Sequence, residues 1–200
     1  MAVRSWSTPS PLGVFARSSF TGGAWASVLA GAISTFNDLM SKNGVNVSLT
    51  NAADENKAQI VVDAVKNQAS FSYGGASYSK DFDGNGMHGL TVPVADAATA
   101  ALERAYVFVP ATPRVDRTDK KSREAGAEVR RFILVHEFIH AAGLSNAEHT
   151  LEDVFCYPAE IVQGDKAQND RLQPWGGLGK PMPPYTITAK TVANLKKVWP

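Results

Sequence analysis

The chain has 200 residues, 44% of them hydrophobic and 20% charged, which is enough apolar content for one domain with a buried core. A net charge of +1 argues against a role driven by the nucleic-acid backbone. A single cysteine, Cys156, rules out an intramolecular disulfide and a cysteine-rich metal site, and no run reaches the roughly 20 apolar residues of a membrane span.

Residues 1–22 mix Ser, Thr, Pro and Gly and read as an N-terminal arm, leaving 23–200 as the folded domain. The apolar piece Ala24–Ile33 lies too far from the start to be a clear signal-peptide core, and the compartment is left open. From Ala24 to Lys42, Trp25, Val28, Leu29, Ala32, Ile33, Phe36 and Leu39 recur at helical spacing, and Asn43-Gly44 ends the helix. Val45–Leu49 alternates and predicts a strand; Ala58–Val65 is apolar, β-branched and predicts a second, more buried one. Gly74-Gly75 opens a loop running to Gly89, and Leu90–Val94 predicts a short strand. Ala97–Leu102 reads as a short helical turn, and Ala105–Val109 as a strand closed by Pro110 and Pro113. Arg114–Arg123 is a charged, solvated loop leading into a helix that Thr118 or Ser122 would cap and that stops near Gly143. Gln173–Tyr185 is a constrained Pro/Gly loop, after which Thr188 caps a last helix carrying Val192, Leu195 and Val198.

Three of the four histidines fall in Val135–His149, VHEFIHAAGLSNAEH; the fourth is His88. His136 and His140 are one helical turn apart, so both reach one metal ion from the same face, and Glu137 beside them can address a water on that metal. A catalytic zinc takes three protein ligands, and the third candidates are His149, Glu160 and Asn146. Imidazole is the better ligand, and a break at Gly143 lets the chain turn back to present His149. Glu160 follows His140 after nineteen intervening residues, a spacing similar to that of thermolysin-like enzymes, and Pro158 would start the helix carrying it. The pattern predicts that Glu137 takes a proton from the attacking water and passes it to the leaving amine. The protein or peptide substrate would lie extended beside an edge strand, either Leu90–Val94 or Ala105–Val109.

His136, Glu137, His140 and Gly143 resemble the metzincins, zinc endopeptidases with His-Glu-x-x-His-x-x-Gly-x-x-His. That family's third histidine would fall at Asn146; here the histidine is His149, as a short insertion after Gly143 would produce. AQIVVDAV at 58–65, FDGNGMHGLTVP at 82–93 and MPPYTITAKTVANLKKVW at 182–199 look like segments of the matrix-metalloproteinase catalytic domain. The resemblance implies an α+β, metzincin-like zincin fold: a twisted mixed sheet with an N-terminal, an active-site and a C-terminal helix. It also implies an upper part at 23–143 and a lower part at 144–200, bound Zn2+, and a methionine turn at Met182, or Phe155 in its place. Tyr185 would then lie near enough to help hold the oxyanion.

Asp81, Asp83 and Asn85 open a D-x-D-x-N-G pattern, the first half of a Ca2+ loop, but its twelfth position is Val92 rather than Glu. It reads as a calcium-holding surface loop or as a polar turn.

Overall fold

Alternation along the strands decides which side of the sheet each side chain serves. In β3 (Ile60–Val65), Ile60 and Val62 enter one hydrophobic cluster and Val61 the other. In β7 (Leu102–Pro110), Ala105, Val107 and Val109 face the first cluster, and Tyr106 and Phe108 the second. Both strands are therefore buried on two faces, which is why they read as continuous apolar runs. A computed structural model of the chain describes residues 5–116, 122–148 and 185–200. These residues form an α+β structure around a five-stranded mixed sheet.

The sheet order is β2-β1-β3-β7-β6, with β1 at Leu12–Ala16, β2 at Leu49–Asn51 and β6 at Leu90–Ala95. The first four strands are parallel and β6 runs antiparallel to β7. On one face lie α2 (Leu29–Lys42), α3 (Ala127–Ala141) and α4 (Ala189–Val198), all contributing to the larger cluster. The other face is covered by a hairpin of β4 (Gln68–Tyr73) and β5 (Ala76–Asp81), where Phe71 stacks on Tyr106 at 3.9 Å. Among the described residues, no helix is long and apolar enough to cross a membrane.

Several expectations are corrected. Residues 12–16 are not part of an arm: β1 lies between β2 and β3, with Leu12 and Val14 in the core and α1 (Ser18–Thr21) following. The Ser- and Pro-rich flanks hide a five-residue apolar strand, and Gly13 interrupts its alternation. Val45, Val47 and Leu49 are buried alternately, as the pattern predicts, but ladder pairing begins only at Leu49. There Asn37 supplies a strand-like partner, accepting from Leu49 N at 2.7 Å and donating to Leu49 O at 2.9 Å. The first part of the loop predicted from Gly74 to Gly89 is the β4–β5 hairpin, whose turn places Gly74 and Gly75 at φ of +57° and +79°, while residues 82–89 are irregular as predicted. Two positive φ values are what a two-residue hairpin turn requires. Leu102 belongs to β7 rather than to a helical turn, and Arg114–Asp116 (β8) pairs with Ser122–Glu124 (β9) where a loop is predicted.

Gly84 is buried where the chain leaves the hairpin for β6, and its N–H donates to Lys66 O at 2.7 Å. A Cβ at this position would lie 2.5 Å from Lys66 Cα and closer still to its carbonyl oxygen. Gly84→Ala is expected to destabilise the fold by about 1–3 kcal/mol, read as a lower denaturant midpoint; an unmoved midpoint would show that the two backbones separate freely.

Candidate metal centre on the third helix

Helix α3, AEVRRFILVHEFIHA, is buried on nearly every side, Arg130 and Glu137 included. Phe138 meets Phe36 of α2 edge-on at 6.1 Å, and other α3 residues pack on β6 and β7. The helix starts at Gly126, which has extended backbone and no side chain to cap with. Ser122 lies in β9 and Thr118 outside the described residues, so the predicted cap is replaced by a bare glycine. The predicted stop is found: Gly143 takes φ of +116°, a conformation that glycine tolerates and branched residues do not.

His136 and His140 are half-buried and turn their rings together, with centroids 4.7 Å apart and Nε2 atoms 3.0 Å apart. His140 Nδ1 lies 2.8 Å from the Leu144 carbonyl. A carbonyl only accepts, so Nδ1 carries the proton and Nε2 presents its lone pair. Two imidazole nitrogens on one tetrahedral zinc stand roughly 3.3 Å apart, so this pair fits a single metal ion.

Glu137 is only 4% exposed, with Oε1 4.0 Å from His136 Nε2. Two groups of β6 and its approach hold it. Thr91 Oγ1 donates to Oε2 at 2.7 Å, and the Gly89 N–H donates to the same carboxylate. A Cβ at position 89 would lie 2.5 Å from Glu137 Cγ and 2.6 Å from Cδ, so glycine is what lets this backbone come so close. Burial pushes the carboxyl up to about 7, against the downward pull of the Thr91 and Gly89 hydrogen bonds. A carboxyl so placed can take a proton and release it near neutrality. Sequence reading picks out neither Gly89 nor Thr91; they sit in the quoted FDGNGMHGLTVP segment, but nothing local to it shows that it reaches α3.

The structure thus brings His136, Glu137 and His140 together. Asn146 is exposed, in a turn where Ser145 N donates to Glu148 Oε2 at 2.6 Å. His149, Glu160, Met182, Phe155 and Cys156 lie outside the described residues. Among the described residues, no group of three His, Cys, Asp or Glu gathers to hold a metal. Tyr185 packs on Phe132, one turn before His136, with ring centroids 5.2 Å apart. Burial raises its hydroxyl above the usual tyrosine range, and that hydroxyl has no hydrogen-bond partner among the described residues. In the predicted calcium loop, Asp83 Oδ1 accepts from Asn85 N at 2.9 Å, Asn85 Oδ1 accepts from Thr112 at 2.8 Å, and Asp81 pairs with Gln68 in the hairpin. His88 is exposed beside Gly89.

The Glu137 carboxyl has an ordinary value of 4.5 in the unfolded chain and about 7 in the folded, metal-free protein. The folded state therefore holds this proton more tightly. Its contribution to stability is complete below the unfolded value and is lost as pH rises through the folded one, a total of about 3 kcal/mol. Glu137→Gln removes that dependence. Metal-free Glu137→Gln is expected to melt above wild type at about pH 8 and to lose most of that advantage at about pH 4; an advantage equal at both would show that the carboxyl stays ionised throughout.

No protein-family model and no curated protein matches the chain.

Proposed function

We propose that the chain is a zinc-dependent endopeptidase of metzincin type. The observation that carries this reading is the joint placement of two imidazole Nε2 atoms 3.0 Å apart and a buried carboxylate 4.0 Å from one of them. A purely structural metal site has no use for a carboxylate tied into place beside its ligands.

His136 and His140 would hold the metal, with His149 as the third ligand and Glu160 or Asn146 as the rivals. When bound, zinc supplies Lewis-acid polarisation of the scissile carbonyl and a water acidified toward neutrality. Glu137 would take a proton from the attacking water on its carboxylate and deliver it to the departing amine. Thr91 and Gly89 keep the carboxylate from swinging away during the transfer. The His140 Nδ1–Leu144 contact keeps the ring turned so that Nε2 stays free to face a metal held with His136.

A substrate docks by strand addition where a sheet edge is free. Of the two strands predicted for this, β7 is interior, paired with β3 and β6, and so is excluded. Among the described residues β6 is the edge beside Glu137, and the exposed Pro93 on it is a residue that edges tolerate. The peptide would therefore lie along Leu90–Ala95.

Metal analysis and cleavage of a denatured protein test this together. Wild type is expected to carry one zinc and to cut, while Glu137→Ala keeps the metal and loses activity by about 10²–10⁴-fold. Zinc-loaded wild type that cleaves no peptide would favour a binding protein with a structural metal. For the third ligand, His149→Ala is expected to lose zinc and Glu160→Ala to keep it; the reverse pattern reassigns the chain to the thermolysin-like arrangement.

A further inference from the structure

The last turn of α3 and the run leading on from it are gripped by side chains from both ends of the described chain. Trp6 Nε1 donates to the Ala141 carbonyl at 3.1 Å, Trp199 Nε1 to the Ala142 carbonyl at 2.9 Å, and Asn194 Nδ2 to the Glu148 carbonyl at 2.8 Å. The final carbonyls of a helix have no partner inside it. Here two indoles answer them, 8% and 7% exposed, in place of water.

Each donor is itself fixed. Trp6 is bracketed on β7 by Ser7 N to Leu102 O at 2.9 Å and Leu102 N to Ser5 O at 2.8 Å. Trp199 ends α4, its N–H bonded to Leu195 O at 2.9 Å, and Asn194 lies on the same helix. Between the gripped carbonyls lie Gly143, where the helix breaks, and Leu144, whose oxygen meets His140 Nδ1 at 2.8 Å. The gripped run begins one residue after His140 and ends one residue before His149.

We infer that Trp6, Trp199 and Asn194 are positioning residues for the metal centre. They set zinc affinity by holding the backbone from Ala141 to Glu148, and with it the carbonyl that orients His140 and the approach to the third ligand. The inference rests on the zinc reading above. Groups that orient a metal ligand typically change metal affinity by about 10–100-fold when removed. An indole serving only as filler would be replaced by phenylalanine without effect on the metal. An indole serving as a donor leaves a buried carbonyl unanswered when its N–H is removed.

The test is zinc affinity of the full chain, measured by competition with a chromophoric chelator well below the melting temperature. Trp199→Phe and Asn194→Ala are expected to bind zinc about 10–100-fold more weakly than wild type. Asn37→Ala is the control: it removes two hydrogen bonds of similar length at the α2–β2 contact and is expected to leave zinc affinity unchanged. Asn194 is half-buried, so its truncation keeps the question answerable should Trp199→Phe fail to fold. Wild-type affinity in Asn194→Ala and in any folded Trp199→Phe overturns the inference, as does an equal loss in Asn37→Ala. Wild type that takes up no zinc overturns the zinc reading itself, and this inference with it; wild type that binds while the variants match it overturns the inference alone.

Discussion

A carboxylate buried between a helix and an edge strand constrains much of this structure. An ionised carboxylate without partners in a protein interior is strongly disfavoured, and hydrogen bonds to it recover part of the loss. Glu137 finds those bonds on the approach to β6, from the Gly89 N–H and the Thr91 hydroxyl. The requirement runs both ways. Separating β6 from α3 would break both hydrogen bonds to Glu137, and rotating α3 would carry the carboxyl out of reach of Thr91. Position 89 must lack a Cβ, because the carboxylate occupies that space.

That contact also explains how so apolar a helix can carry polar chemistry. The last two turns of α3 are Val135-His136-Glu137-Phe138-Ile139-His140-Ala141, and only the two histidines among these are not fully buried. Val135, Phe138, Ile139 and Ala141 fix the helix rotation by packing in the core. The rotation then leaves His136 and His140 on the one strip where the burial is incomplete. Packing sets the direction of the histidines, and the hydrogen bond to Leu144 sets the proton on one of them.

What the sequence made legible is what depends on near neighbours. The turn spacing of His136 and His140, the helix end at Gly143, the Thr188 cap that accepts from Thr191 N, and the apolar runs of β3 and β7 all follow from residues within a few positions of each other. What escaped depends on distant ones. β1 is a strand because parallel neighbours from 49–51 and 60–62 flank it, while its own five residues sit among Ser, Pro and Gly. The β4–β5 hairpin carried a local signal, paired glycines between Phe71, Tyr73 and Tyr78, but the abundant serines read as a loop. In the site, Gly89 and Thr91 are 48 and 46 residues from Glu137, and no spacing rule connects them. Tyr185 likewise packs on a distant residue, Phe132 of α3.

The sheet topology narrows where a substrate could meet this chemistry. Among the described residues the five-stranded sheet has two edges, β2 and β6. β2 is three residues long and lies at the end of the sheet remote from β6. β6 is six residues long, antiparallel to its neighbour, and carries Thr91 on the side chain that touches Glu137. An extended backbone added to β6 would therefore be aligned by the same strand that aligns Glu137. On the proposed reading, register between substrate and carboxylate needs no separate device: it follows from one strand making both contacts.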